Sequence, residues 1–274
     1  KVFVDATGEA HLVHLAGGKT EQADAKFTMH KSAFCFLGGV AKGAVDTYRR
    51  MYPQIRKDPV APKNIWATPG WTFLPSDGEI ILPITYVTGD GCSSADMTRM
   101  DETLRKSNQA LVRYLREHVP GFEKAHITRE ATQVGCRDGR HIVGREKVDI
   151  AFLDKAPVPE NPVVPVWRWW GGEHAADQSK GFGTPQSGYH AALTAIPYGA
   201  LVPRSFDNVL VAGRDLACDA RAITTCRMMP TCMAMGEAAG EAAAIQCEKN
   251  LADAGAVPYG ELADRLFAAN AILA

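Results

Sequence analysis

The sequence predicts an α/β protein in which a β-rich α+β domain is inserted into a domain of strands and helices. Three observations favour this class. A short apolar strand at residues 2–4 runs into a small-residue turn, and a second apolar strand at residues 208–213 leads through a loop to a helix. Strand, turn and helix in this order are typical of α/β folds. Between the two, strand-like runs alternate with prolines, which indicates irregular strands and loops.

The first third of the chain is expected to contain few helices. A buried strand at residues 2–4 precedes a small-residue segment at residues 10–16. Residues 28–40 and 79–87 hold strand-like runs, and five prolines break the chain between them. No long helical period is present in residues 19–90, so this region is predicted to consist of strands and loops.

The clearest helix is predicted at residues 93–119. Ser94 can cap it, and Pro120 with Gly121 ends it. The apolar residues inside it recur at helical spacing and form one face: Met97, Met100, Leu104, Leu111, Leu115 and Val119. A strand at residues 126–133, a charged turn region at 135–144 and a proline-marked loop at 157–165 are expected after it.

The last third is predicted to hold a buried strand at residues 208–213 and helices at residues 230–249 and 259–273. Gly236 and Gly240 lie on one face of the first of these helices. Because glycine inside a helix costs about 1 kcal/mol relative to alanine, the two indicate very close packing. The packing partner is either a sheet or a bound ligand, and the sequence favours neither.

Composition narrows the function classes. The chain has 274 residues, about the length of two domains, and its formal net charge is -1. Nucleic-acid binding needs a basic surplus or stripe, and no apolar run reaches the roughly 18 residues of a membrane helix, so neither partner is expected. The 7 cysteines include no C-x-x-C pair, which disfavours a disulfide framework or a metal site. Reduced thiols favour a cytoplasmic location.

Four motifs occur in order over nearly the whole chain. They are D-A-T-G at residues 5–8, P-G-F-E at 120–123, G-x-R-x-x-R-x-I-V-G at 135–144, and a block at 196–245 that contains V-A-G-R and R-M-M-P-T-C-M-A-M-G-E-A-A-G. Together they resemble a bacterial family of FAD-dependent oxidoreductases, flavoproteins with two dinucleotide-binding domains. The final block of about 50 residues is the most specific.

The resemblance implies a partial FAD-binding, Rossmann-like domain made of residues 1–18 and 197–274, with residues 19–196 as the inserted substrate domain. Family members begin with a strand, a G-x-G-x-x-G turn and a helix that cradle the FAD pyrophosphate. This chain contains no such motif, and an apolar strand already begins at residue 2. We therefore expect the missing half to come from a second polypeptide, as in a split enzyme, or from a missing N-terminal segment. A homo-oligomer is a further expected assembly.

The resemblance also implies which residues contact FAD. The turn beside the cofactor corresponds to Asp5, Thr7 and Gly8, and the strand end near the ribityl chain to Gly213, Arg214 and Asp215. The helix start beside the isoalloxazine, with the glycine face behind it, corresponds to Arg227, Met229, Pro230, Thr231 and Gly236. A helix N-terminus there would stabilise negative charge on the reduced flavin.

Hydride transfer from a hydroxyl or amine needs a base, and His141 is the first choice among the 8 histidines. A surface position for His141 is the competing interpretation. Arg137 and Arg140 are the other predicted catalytic residues, as a clamp for a substrate carboxylate, although they could equally pair with acids on a solvated face. A tryptophan-rich segment could stack against the substrate, or it could simply pack in the core. Its members are Trp167, Trp169 and Trp170.

The leading hypothesis is thus an FAD-dependent oxidoreductase that transfers a hydride from a small organic substrate to flavin N5. One alternative is a non-catalytic partner subunit that completes a flavoprotein made with another chain. A third hypothesis, a flavin-dependent thiol enzyme that uses Cys218 and Cys226, is disfavoured because C-x-x-C is absent.

Overall fold

The computed structural model describes residues 1–22, 28–66, 69, 78–82, 85–167 and 193–273. The chain divides into two compact units. The first comprises Lys1–Thr28, Asp138–His174 and Gly183–Ala274, and the second comprises Met29–Arg137 and Ala175–Phe182. These bounds differ from the domain bounds that the sequence predicts. The assignment of a flavin domain and a substrate domain stays a prediction.

Helices and strands are mixed, in agreement with the α/β class. The strands are β1 (Phe3–Asp5), β2 (Thr20–Gln22), β3 (Cys35–Gly38), β4 (Ile80–Leu82), β5 (His126–Glu130), β6 (Arg140–Ile142), β7 (Pro162–Trp167), β8 (Leu193–Pro197) and β9 (Val209–Val211). The helices are α1 (His11–Leu15), α2 (Ala44–Ile55), α3 (Ser94–His118), α4 (Ile150–Lys155), α5 (Ile223–Cys226), α6 (Met229–Glu248) and α7 (Tyr259–Ala268).

The first unit is built around the parallel pair β1–β9, in which Asp5 lies opposite Val211. Helix α6 packs on both strands and on β7. Strand β9 is wholly buried, but Phe3 and Val4 of β1 are 48% and 40% exposed. The prediction of a buried first strand is therefore wrong for these two side chains. In the described part of the chain, β1 pairs with β9 alone, so its second edge stays open.

Two further strand pairs of the first unit lie where the sequence predicted turns and loops. Strand β6 falls inside the charged block and pairs with β2 in antiparallel fashion. Strand β7 includes Pro162 and Pro165 and pairs with β8. A strand with a single neighbour has one edge whose N–H groups need no partner, so it tolerates proline. The loop predicted at residues 157–165 is therefore wrong from Pro162 onward, whereas residues 157–161 lie outside helices and strands as predicted.

The second unit contains a three-stranded antiparallel sheet in the order β4–β3–β5. Helix α3 confirms the predicted helix, and Met100, Leu104 and Leu111 on its apolar face are buried. Its cap is Ser93, whose hydroxyl accepts a hydrogen bond from the Asp96 backbone at 3.3 Å, one residue before the predicted cap.

Helix α2 was not predicted. Its buried residues Ala44, Tyr48, Tyr52 and Ile55 follow a helical spacing, but Pro53 lies within the helix. Proline removes a backbone donor and usually ends a helix. The buried tyrosine face stabilises this helix in spite of the proline.

Helix α6 agrees with its prediction, whereas α7 ends five residues earlier than expected. The small residues of α6 divide between two environments. Ala238, Ala239 and Ala242 are buried, but Gly236 and Gly240 are exposed, and a Cβ added at either would meet nothing within 4 Å. No described residue therefore packs closely on the glycine face. No helix among these segments is long and apolar enough to cross a membrane.

Candidate active site

The two strand ends that the sequence singled out meet at one edge of the β1–β9 pair. Parallel strands end on the same side of a sheet, where α/β proteins bind their ligands. The Ala212 backbone N–H donates to the Asp5 carbonyl at 2.9 Å. Gly8 and Gly213, with φ of 81° and 78°, turn the chain beyond the two strands, in the left-handed region that glycine adopts most easily. The predicted cofactor turns are thus brought together.

Asp5 organises the turn that follows β1. Its carboxylate accepts hydrogen bonds from the Thr7 backbone N–H at 3.1 Å, the Thr7 hydroxyl at 2.7 Å and the Val13 backbone N–H at 3.0 Å. Burial pushes the pKa of Asp5 upward, but these hydrogen bonds outweigh it and the net pKa is lowered. The Thr7 hydroxyl also accepts from the His11 backbone N–H at 2.9 Å, so both predicted ligands hold the turn internally.

Asp215 lies underneath the same turn. It is fully buried, and its two oxygens accept hydrogen bonds from the backbone N–H groups of Gly8 at 3.2 Å and Ala10 at 2.8 Å. Burial raises the pKa of Asp215 to about 7, and the charge of Asp5 acts in the same direction. Asp215, which was predicted to lie near the ribityl chain of FAD, thus has its carboxyl group directed at the turn after β1.

Glu9 and Arg214 form a mostly buried ion pair beside this turn, with the two charged groups 3.0 Å apart. Two glycines make room for it. A Cβ at Gly139 would overlap the Glu9 carboxylate, and one at Gly8 would lie 2.6 Å from the Arg214 guanidinium. Arg140 donates from Nε to the Glu9 carbonyl at 3.1 Å. Glu9 therefore connects two cations, a role that its place directly after the D-A-T-G motif could have indicated.

His141 lies on β6 next to this ion pair. Its Nδ1 is 2.9 Å from the Arg214 carbonyl oxygen, which can only accept, so Nδ1 carries the proton and Nε2 has a free lone pair. Nε2 is buried and has no hydrogen-bond partner in the described segments. Burial lowers the pKa of His141, and the ring is neutral at neutral pH. The surface position considered from the sequence is wrong, since the ring is 3% exposed.

Arg227 stands at the junction of α5 and α6. Burial lowers the pKa of this arginine, while the charge of Asp138 acts in the opposite direction. Among the described residues, neither its buried Nε nor the buried Nε of Arg214 has a hydrogen-bond acceptor. Cys232 in the first turn of α6 has its pKa raised by burial, while Arg214 and Arg227 act to lower it. It follows that the start of α6 lies close to both arginines and to the turn after β9.

The start of α6 is open and apolar. Pro230 occupies its first turn, where a missing N–H costs nothing, and Met229 and Met233 are largely exposed. Thr231 is partly exposed. Helix α6 has 20 residues, so its unpaired N-terminal N–H groups carry about half a positive charge. This end can stabilise an electron-rich group.

Arg137 has its described contacts in the second unit, whereas Arg140 and His141 belong to the first. Its two terminal nitrogens donate to the His30 carbonyl at 2.6 Å and to the Ser32 hydroxyl at 2.7 Å, and its guanidinium lies 5.0 Å from the centre of the Trp66 ring. Arg140 reaches the Glu9 carbonyl instead. Each of the two predicted clamp residues thus bonds within its own unit.

The thiol hypothesis is disfavoured by the surroundings of the two cysteines, although Cys218 Sγ lies 3.5 Å from His141 Nδ1. Cys218 and Cys226 are buried, and burial raises the pKa of Cys226 to about 12 and that of Cys218 well above its ordinary value. Reactive cysteines need the opposite shift. The predicted stacking residues Trp169 and Trp170 lie outside the described residues. Trp167 is part of β7.

A comparison with protein families gives one match. A family model described as FAD dependent oxidoreductase matches residues 1–266 of the chain. No curated protein and no solved structure matches it.

Proposed function

Because the chain belongs to the FAD dependent oxidoreductase family, whose cofactor is FAD, we propose that it transfers a hydride from a small organic substrate to flavin N5. The observation that carries this proposal is the His141 ring, a neutral imidazole with one nitrogen anchored and the other unsatisfied beside the predicted cofactor turns. Such a ring is suited to act as a general base.

The residues of the first unit fit FAD. Two buried arginine nitrogens, Nε of Arg214 and Nε of Arg227, have no acceptor among the described residues, and the flavin and its phosphates are rich in acceptors. Gly213 and Gly236 leave open space where a side chain would stand, so a planar group can approach the backbone. Arg214, Arg227 and the first turn of α6 would hold the cofactor. When bound, FAD supplies the hydride acceptor.

His141 would remove the proton that accompanies the hydride. An alcohol or amine that gives up a hydride from carbon must also lose a proton from oxygen or nitrogen. Burial keeps His141 neutral, and the bond from Nδ1 to the Arg214 carbonyl keeps the lone pair on Nε2. The substrate O–H or N–H would donate that proton to Nε2 as its carbon gives up the hydride.

The two predicted arginines receive different roles. Successive side chains of a strand point to opposite faces, but Nε of Arg140 is held by the Glu9 carbonyl, beside the ion pair next to His141. The guanidinium of Arg140 would bind an acidic group of the substrate. Arg137 stays a predicted substrate contact. Its bonds to His30 and Ser32 favour a structural role in the second unit.

A further part of the proposal is that a segment carrying G-x-G-x-x-G completes the flavin domain. Parallel sheets are normally covered on both faces and contain more than two strands. Here β1 has one described neighbour, and Phe3 and Val4 of β1 and Leu15 of α1 are exposed apolar side chains. The open glycine face of α6 suits a closely packed neighbour. A preceding segment or a second polypeptide would supply it. The seven free cysteines favour a cytoplasmic location for the assembly.

The experiment uses the native particle and the variant His141→Gln. We expect the variant to keep its flavin but to be reduced by the substrate about 100-fold or more slowly, which is the usual contribution of a general base. A panel of small alcohols and amines, with and without a carboxylate, would be screened for flavin bleaching under anaerobic conditions. His118→Gln at the end of α3 is the matched control and should be reduced at the normal rate.

Two results would contradict the proposal. An unchanged rate for the His141→Gln variant would exclude this base. Flavin that is present in the native particle but is never reduced by any organic donor would favour the alternative, in which the chain is a non-catalytic subunit that only completes a flavoprotein.

A further inference from the structure

Two buried carboxyl groups meet beneath the turn that follows β1. Asp5 comes from β1 and Asp215 from the turn after β9, and both carboxyl groups accept hydrogen bonds from the backbone of the same turn, Asp5 from Thr7 and Asp215 from Gly8 and Ala10. They are 1% and 0% exposed. Two carboxylates that are buried against one turn repel each other strongly, so one of them retains a proton near neutral pH.

The hydrogen bonds indicate which group keeps the proton. Asp5 accepts three bonds from Thr7 and Val13, whereas Asp215 accepts two, from Gly8 and Ala10. Bonds donated to a carboxylate stabilise its charged form, and the better-supplied group is Asp5. Asp215 is therefore the acid, and its hydroxyl donates to Asp5. The lowered pKa of Asp5 and the raised pKa of Asp215 agree with this assignment.

The pair fixes an otherwise unfavourable backbone. Ala10 has a left-handed conformation with φ of 46°, which residues with a Cβ rarely adopt. Its N–H is bonded to Asp215 at 2.8 Å in a buried position. The neighbouring bond from Gly8 orients the turn, and Val13, bonded to Asp5, belongs to α1. The backbone of Gly8 and Ala10 is thus held by a residue at least 205 positions later in the chain.

We propose that Asp5 and Asp215 share a single proton, and that through it Asp215 acts as a positioning residue that fixes the turn at residues 7–10 for the flavin. The second half of this statement rests on the proposed function. Asp215 serves the cofactor indirectly, because both its oxygens bond to the turn.

The other charged groups around Asp215 do not replace this proton. Glu9 lies in the same turn, but it is paired with Arg214 at 3.0 Å, so the two charges largely cancel. From α6, Cys232 faces Asp215, and burial raises the pKa of its thiol, which stays neutral. Asp5 is the acid whose charge raises the pKa of Asp215.

Amide hydrogen exchange of the peptide at residues 5–13 tests the proposal on the full chain, with no flavin needed. A group that keeps its proton only in the closed turn makes opening easier as pH rises. After correction for intrinsic base catalysis, the opening equilibrium of wild-type protein should therefore rise by up to about tenfold per pH unit from pH 5 to 7 and then level off.

Two variants separate the proton from the packing. Asp215→Asn is a neutral near-isostere that can still donate to Asp5 and accept from Ala10 but not from Gly8, so its opening should be independent of pH and lie between that of wild-type protein at low pH and that of Asp215→Ala. Asp215→Ala removes both bonds and should open more than tenfold more readily at every pH. Asp253→Asn, which removes a distant acid paired with Arg145, is the control and should keep the wild-type profile.

A wild-type profile without pH dependence would overturn the shared proton, and so would an Asp215→Asn variant whose opening still rises with pH as in wild-type protein. If the variants fail to fold, the wild-type profile alone still decides. Flavin content is measured separately. A pH-dependent turn in a chain that never takes up FAD would leave the shared proton standing and would count against the proposed function.

Discussion

Glu9 shows how tightly the side chains at this site constrain one another. Its carboxylate lies directly against the backbone of Gly139 and reaches Arg214. We expect Gly139→Ala to displace Glu9, break this ion pair and lower the free energy of unfolding by about 1 to 3 kcal/mol, the usual cost of overpacking. Urea denaturation measures the change.

The control for this prediction is the same substitution where space is free. Gly260 lies in the first turn of α7, and a Cβ there would meet nothing within 4 Å. Gly260→Ala should raise the free energy of unfolding by about 0.5 to 1 kcal/mol, because alanine is the better helix former. Destabilisation by both substitutions, to a similar degree, would show that crowding at Glu9 is not the cause.

His141 makes the stability of the folded protein depend on pH on the acid side of neutrality. Since burial lowers its pKa in the folded state, the unfolded chain binds a proton first as pH falls. The stability from the neutral ring is complete above the unfolded pKa of about 6.5 and is lost as pH falls from there toward the folded pKa. Between pH 7.5 and 5, wild-type protein should lose more thermal stability than His141→Gln. Parallel melting curves for the two proteins would contradict this.

At the scale of elements, helix α6 carries a face that the described chain leaves open. Gly236→Ala combined with Gly240→Ala should stabilise the isolated chain by about 1 to 2 kcal/mol, since both are exposed helix positions. If the face packs against the cofactor or the completing segment, the same double variant should lose flavin from the native particle. Thermal midpoint and flavin per chain are the two measurements. A stabilised variant with full flavin content would show that the face is not used.

The elements also show what the sequence can predict. Helix α3 was predictable because seven turns of amphipathic pattern outweigh any single residue. Helix α2 and strand β7 were missed because Pro53, Pro162 and Pro165 suggested breaks, while the burial of tyrosines and the pairing with β8 decided the outcome. Local pattern cannot reveal such tertiary contributions.

The site residues were likewise predictable only where a local sequence pattern specifies them. The glycine turns at Gly8 and Gly213 and the start of α6 were predictable, because each is a local strand–turn–helix signal. The burial of Asp215 under a turn 205 residues away was not, and neither was the bond from His141 to the Arg214 carbonyl, because these depend on how distant segments meet in space.

At the scale of the whole molecule, the exposed edge of β1 is expected to be an assembly surface. Phe3→Thr should change the free energy of unfolding of the isolated chain by less than about 1 kcal/mol, because the ring is already 48% exposed. It should weaken association with a polypeptide that supplies the G-x-G-x-x-G half, and co-purification of the two measures this. Phe267→Thr on α7, where the ring is 59% exposed, is the matched control and should co-purify normally. Equal recovery with both variants would exclude β1 as the contact.

The pairing of β1 with β9 also sets the order of events during synthesis. Val4 pairs with Leu210, so at about 5 to 20 residues per second the first strand waits roughly 10 to 40 s for its partner to leave the ribosome. The core of the second unit, within residues 35–125, is made and can fold during that interval. Until β9 is made, the backbone N–H and C=O groups of residues 3–5 have no strand partner from β9 on the nascent chain. We expect chaperone binding at this strand, and a yield that falls when translation is slowed, because two strands that lie far apart in the sequence pair in one sheet.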